Sequence, residues 1–130
     1  IGLAALRGFA LAADVKLAGV NSFDLFAQMP IATPHRLVVI ESWRDELYMR
    51  LDDQAPVSIK PDNVAGMLVC SAIANADLTV MGDAADKVAP LLTGCTVLTA
   101  AADAQVLADA VIRQPTLCGA AEPYYLREAD

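Results

Sequence analysis

Residues 36–51, RLVVIESWRDELYMRL, decide how this chain is expected to fold. The run Leu37-Val38-Val39-Ile40 is continuously apolar, which predicts a strand over Arg36–Glu41 buried on both faces. Ser42–Asp45 is a polar turn that carries Trp43. Glu46–Leu51 then alternates, imperfectly, as the return strand of a hairpin.

Working outward from the hairpin, Pro56–Lys60 suggests a third, short strand. Pro61 and Asp62 open a helix to about Asn75, with Val64, Met67, Leu68 and Ile73 facing inward. Leu78–Met81 is a strand ending in Gly82, and Asp83 is expected to cap a helix to Leu92. Gly94 leads into a strand over Cys95–Leu98, followed by a helix capped by Thr99 or Asp103 and running to about Arg113. Pro115, Gly119 and Pro123 rule out a long helix in the tail, where Tyr124–Arg127 reads as a terminal extended segment.

Upstream of the hairpin, Ile1–Ala13 reads as a helix ended by Asp14. Ile1, Leu3, Leu6, Phe9 and Ala10 suit its inward face. Ala4, Ala5, Gly8 and Ala12 cover most of the rest. A helix apolar nearly all round is expected to be buried on more than one side. Val15–Val20 is expected as a short strand. Asn21-Ser22 offers an N-cap for a helix through Phe23, Phe26 and Ala27 to Gln28. Pro30 and Pro34 punctuate the best linker in the chain, Met29–His35.

From residue 36 the order is antiparallel strands first, then alternating strand and helix. This predicts an α/β fold, a mixed sheet with helices packed on it. It is also the element order of a ribonuclease-H-like unit, the building block of the actin-like ATPase (ASKHA) superfamily. The helix, strand and helix upstream are how a first such unit would end. Residues 1–33 are therefore expected to be the C-terminal part of a first actin-like domain, and residues 34–130 a complete second one.

Composition bounds the function. The 130 residues suffice for about one core, 56% apolar but only 5% aromatic, so Ala, Val and Leu must build it. Nine Lys and Arg against sixteen Asp and Glu give a net charge of −7, which argues against direct nucleic-acid binding as the main task. Cys70, Cys95 and Cys118 are odd in number and widely spaced, as expected of reduced thiols in a cytosolic protein. No run approaches the length of a membrane span. Ala10-Leu11-Ala12 resembles a small-residue cleavage site, but Arg7 and Gly8 break the apolar stretch and no cationic leader precedes it. The expectation is a piece of a longer protein.

Chemistry-bearing residues are sparse. His35 is the single histidine, so a His-x-x-x-His metal pair cannot form, and a loop role is expected. Ser22, Ser42, Ser58 and Ser71 lack a G-x-S-x-G context, which leaves a serine or cysteine triad little support. Glu41, Asp45 and Glu46 bracket the hairpin turn, where carboxylates are usually solvated. Trp43 either folds onto its own sheet, the favoured expectation, or meets a partner. Gly82-Asp83, at a strand–glycine–helix junction, is the weak candidate for cofactor binding. Asp83 would oppose a phosphate there, and a simple tight turn is the expected role.

Three segments in order resemble one family. IGLAALRGFALAADVKLAGVNSFDLFAQ looks like the helix–strand–helix after the glycine-rich motif of the bacterial TsaB (YeaZ) family. RLVVIESWRDELYMRL is similar to that family's hairpin, and AEPYYLRE resembles its terminal E-P-x-Y-L-R. The resemblance implies a two-domain actin-like fold and a role in making N6-threonylcarbamoyladenosine in tRNA. It implies a non-catalytic subunit that supports a TsaD-type paralogue, joined by a TsaE-type ATPase. ATP and metal are then expected in the partner, none in this subunit, and tRNA is met only indirectly. Family partners meet through first-domain helices, which makes Ala4, Ala5, Gly8 and Ala12 the expected partner interface. A homodimer through the same helix is a further expectation.

The hairpin departs from the family pattern. Glu41 stands where Asp is usual, Asp45 where Gly is usual, and Trp43 in an Arg-rich stretch. If the family's turn needs a positive backbone dihedral, Asp45 is expected to supply it. Two alternatives stay open. One is a degenerate actin-fold ATPase or glycoprotease-like hydrolase using Gly82-Asp83 and the hairpin carboxylates. The other is a stand-alone structural domain.

Overall fold

The computed structural model describes residues 2–99 and 102–126. At its centre β1 (His35–Glu41) turns back into β2 (Leu47–Leu51), with Leu37 opposite Leu51 and Glu41 opposite Leu47. β3 (Val57–Ile59) adds antiparallel to β2. On the other side of β1, β4 (Leu78–Met81) pairs parallel, and β5 (Thr96–Leu98) pairs parallel to β4. The result is one five-stranded mixed sheet in the order β3-β2-β1-β4-β5. The fold is mixed α/β, as the element order predicts.

The period-2 alternation of strand side chains sorts the core into two layers. Leu37 and Val39 of β1 share one face with Leu47, Met49 and Leu51 of β2 and Leu78 and Val80 of β4. Val64 and Leu68 of α3 (Val64–Cys70) and Ala85 and Val88 of α4 (Ala85–Val88) cover it. Val38 and Met81 point the other way, onto Phe23 and Phe26 of α2 (Ser22–Ala27) and Met29, with Val106 of α5 (Ala104–Arg113) packed alongside. Cover on both faces is why β1 can be apolar without alternation. The first layer is aliphatic and sulfur-bearing; the second carries the two phenylalanines.

Several boundaries differ from expectation. α3 stops at Cys70 instead of continuing to Asn75. Ala72 turns left-handed at φ 56, and Ile73 N–H reaches back to the Leu68 carbonyl while Ala72 N–H meets that of Val69. This is a Schellman ending made with alanine where glycine is usual. The helix after β4 is only four residues, Ala85–Val88, and passes into a 3₁₀ turn, Ala89–Leu91, at Pro90. Proline supplies no N–H for a continuing helix. Asp83 does not cap it; Ala84 holds the cap position. Val15–Val20 is not a strand. Its contact is a single bridge, Gly19 with Gly119, bonded in both directions at 3.0 and 2.8 Å. β propensity needs a neighbouring strand to act on, and this bridge is all the described residues supply. Asn21 does cap α2, its side chain accepting from Phe23 N–H, and Asp103 caps α5 by accepting from Val106 N–H.

Candidate functional site

α1 (Gly2–Ala13) is the first candidate surface. Ala10 is its one buried residue among those described. Leu6 is 54%, Phe9 68% and Leu11 86% exposed. The expectation that Leu6 and Phe9 face inward is overturned. The inward line runs through half-buried Leu3 and buried Ala10, with Arg7 between them donating to the Ala121 carbonyl at 2.6 Å. The Arg7 hydrogen bond ties the helix to the tail. Ala4, Ala5, Gly8 and Ala12 all lie exposed, and a Cβ added at Gly8 would meet nothing within 4 Å. Asp14, at φ 53, ends the helix as expected, with Val15 N–H returning to the Ala10 carbonyl at 3.0 Å.

The second candidate lies at the carboxyl end of β1 and β4, the end of a parallel pair where α/β sheets commonly place ligands. Gly82 has φ +112, and a Cβ there would lie 2.0 Å from the Val39 carbonyl oxygen. Only glycine permits that approach. It lets Ala84 N–H donate to the same oxygen at 3.3 Å. Asp83 Oδ1 accepts from Glu41 N–H at 2.8 Å. Glu41 in turn accepts from Trp43 N–H through Oε1 at 2.9 Å, and from Lys87 Nζ through Oε2. The Lys87 hydrogen bond, then the Trp43 N–H, hold the Glu41 carboxyl below its ordinary range against some desolvation. Its hydrogen bond to Glu41 raises the Lys87 ammonium.

Gly82 thus lies against Val39, Asp83 holds the Glu41 N–H and Lys87 holds the Glu41 carboxylate, and together they clamp the strand ends. The sequence reading joined Gly82-Asp83 to the hairpin carboxylates only in its ATPase or hydrolase alternative and did not include Lys87. The Lys87 contact had no local signature, because 46 residues separate it from Glu41. Trp43 is 90% exposed, so it does not fold onto its sheet. It also carries the positive φ of this turn, 60°, which Asp45 does not.

The remaining sequence candidates are scattered. His35 Nδ1 lies 2.8 Å from Asp52 Oδ2, at the opposite end of β1. Asp52 also takes the Arg36 N–H at 2.8 Å, so this pair fastens the strand start. Ser42 Oγ donates to the Glu46 carbonyl within the hairpin turn, and Ser58 of β3 donates to the Glu46 carboxylate. Cys70, Cys95 and Cys118 are free thiols, and burial pushes the Cys95 thiol up. Among the described residues no three His, Cys, Asp or Glu side chains gather as a metal site, and no helix is long and apolar enough to cross a membrane.

A cleft of about 560 Å³ opens between Asn21–Asp24, the sheet residues Ile40 and Tyr48, and the tail around Tyr124. Sequence reasoning missed it, because its walls come from three distant segments. Beside it Arg50 donates to Asp24 Oδ1 at 2.6 Å and to the Phe23 carbonyl at 2.7 Å, and its guanidinium lies 5.5 Å from the Phe23 ring centroid. These contacts tie α2 to β2.

Comparison of the chain with protein families, with curated proteins and with solved structures gives no match.

Proposed function

We propose that this chain is a non-catalytic, TsaB-type interaction subunit in the synthesis of N6-threonylcarbamoyladenosine in tRNA. In this reading it is cytoplasmic and binds a TsaD-type paralogue that holds ATP and metal. A TsaE-type ATPase joins the pair, and tRNA is met only through the assembly. Residues 1–33 then close a first actin-like unit, and residues 34–130 form a ribonuclease-H-like second one. An antiparallel meander followed by two parallel additions is consistent with that unit.

One observation carries the reading: the outward face of α1. Leu6, Phe9 and Leu11 stand in solvent beside Ala4, Ala5, Gly8 and Ala12, whose small side chains let a second helix approach closely. A surface helix normally turns its apolar face inward; here large and small apolar residues both face out.

The test is co-elution of the protein with a TsaD-type subunit on a sizing column. The expected result is a complex that Gly8→Arg abolishes while the variant keeps its own fold, since the space at Gly8 is open in this chain. Failure of two folded proteins to associate would overturn the proposal. Self-association through α1 predicts instead a dimer of this chain, equally sensitive to Gly8→Arg. Calorimetry with ATP and magnesium separates the ATPase alternative: affinity lost on Asp83→Ala would favour it.

A further inference from the structure

Trp43 has no part in the proposed function, yet it is the most unusual residue in the molecule. It is the chain's single tryptophan. It is 90% exposed at φ 60, a left-handed backbone that bulky residues rarely adopt. Strain of this kind persists only where the surroundings over-determine it, and here they do. Trp43 N–H is held by Glu41 Oε1, Glu41 N–H by Asp83, and Glu41 Oε2 by Lys87. Arg44 N–H is held by Ser42 Oγ at 3.2 Å, and that hydroxyl bonds onward to the Glu46 carbonyl. The backbone beneath the indole is fixed on both sides, while the indole covers nothing.

The charge around it is predominantly acidic. Glu41, Arg44, Asp45 and Glu46 flank Trp43 in the chain, Asp83 accepts from Glu41 N–H, and Asp86 acts on the charge of Lys87, which makes five acids against two bases. Lys87 is engaged with Glu41, and Asp45, Asp83 and Asp86 are exposed. An aromatic face within an acidic rim attracts organic cations and repels phosphate. Tryptophan is also enriched among the residues that anchor interfaces.

We propose that the β1–β2 turn is a docking site for an arginine- or lysine-bearing segment of a partner protein, one cationic side chain lying over the Trp43 indole and further ones against Asp45, Asp83 and Asp86. This site uses none of the α1 residues named above and does not depend on the function proposed there.

Because Trp43 is the single tryptophan, intrinsic fluorescence reports this site alone. The protein is titrated with hexa-arginine at low salt, where surface charge is least screened, with hexaglutamate and oligothymidine in parallel. The expected result is a saturable change in Trp43 emission with hexa-arginine only. By calorimetry, Trp43→Ala weakens that binding about fivefold, Trp43→Phe restores part of the loss, and Asp45→Asn and Asp86→Asn each weaken it about twofold. Trp43→Gly controls for folding: it loses the site while its unfolding midpoint stays at or above that of the parent. Three results overturn the proposal. One is no saturable change; another is unchanged affinity in Trp43→Ala, which would mean attraction by bulk charge alone. The third is a saturable response to oligothymidine, which would make the turn a base-stacking surface.

Discussion

β1 and α1 are both strongly apolar, and their surroundings differ completely. Leu37, Val38 and Val39 are 0–1% exposed. In α1, Phe9 and Leu11 are 68% and 86% exposed and only Ala10 is buried among the residues described. The difference lies in what each segment can reach. β1 is central in its sheet, with α3 and α4 against one face and α2 and α5 against the other. α1 is tied to the tail by the hydrogen bond from Arg7 to the Ala121 carbonyl. Apolar composition tells what a segment is suited to bury against, not whether its own chain supplies that surface. One region is therefore stability, and the other is available surface.

The largest expected effect tests the first region. Gly82→Ala forces a Cβ to within 2.0 Å of the Val39 carbonyl oxygen and keeps a φ of +112. Both faults concern backbone, which cannot swing aside as a side chain end can. A loss of about 3–5 kcal/mol is expected, at the severe end for a single substitution, read as a lower urea midpoint. A variant as stable as the parent would mean that the β4–α4 turn does not lie against β1.

A paired substitution breaks or sharpens the comparison directly. Leu37→Ala removes a fully buried side chain and should cost about 3 kcal/mol through lost transfer energy and a residual cavity. Leu11→Ala removes the same atoms from a position 86% exposed and should change stability by less than about 0.5 kcal/mol. Equal losses in urea melts would show that α1 is covered in solution, for instance by a second copy of the chain.

The two regions also differed in how well the sequence announced them. β4 was legible to the residue, and β1 and β2 within one, because an apolar run and its hairpin partner specify burial locally. The ending of α3 was not, because Ala72 adopts a left-handed conformation without the glycine that signals it. Pro90 should have shortened the helix expected to reach Leu92. Its apolar neighbours suggested continuity, whereas the missing N–H decides the local structure. Among the site residues, the openness of Ala4, Ala5, Gly8 and Ala12 follows from their spacing, but the exposure of Phe9 does not. A helical wheel cannot tell which of several apolar stripes will find a seat. The part of Lys87 in the clamp with Glu41 and Asp83 was invisible for another reason, since the strand order that joins those segments is a tertiary fact.

A smaller effect, of opposite sign, is expected in the hairpin turn. Trp43→Gly relieves a left-handed backbone that costs an L-residue roughly 1–2 kcal/mol and removes a side chain 90% exposed. Glycine adds unfolded-state entropy that offsets part of this gain. A net stabilisation of about 0.5–1 kcal/mol is expected, measured as a raised urea midpoint. A destabilised variant would mean that the indole does cover the protein. That would return Trp43 to the buried class with β1 and remove the reason to assign it a partner.

The smallest effect is a pH dependence at the same turn. Hydrogen bonding from Lys87 and Trp43 N–H lowers the Glu41 carboxyl in the folded protein. A depressed carboxylate stabilises fully above its unfolded value, and this contribution is lost as pH falls through the lowered folded value. Lys87 is shifted the opposite way, raised chiefly by its hydrogen bond to Glu41. Its contribution is complete below the ordinary lysine value and is lost as pH rises through the raised folded one. The pair is intact at neutral pH, Glu41 releasing it in acid and Lys87 in strong base. Lys87→Met removes the main cause of the Glu41 shift, so the carboxyl should titrate at a higher pH than in the parent, read from its carbonyl carbon resonance. Lys87 is half-exposed, so solvent screening keeps the effect on neutral-pH stability slight. The Trp43 emission is the sharper readout: protonating Glu41 weakens the hold on Trp43 N–H, and the emission should change along the same titration. If Glu41 titrates identically with and without the Lys87 ammonium, the clamp is not formed in solution, and the turn that presents Trp43 lacks its main brace.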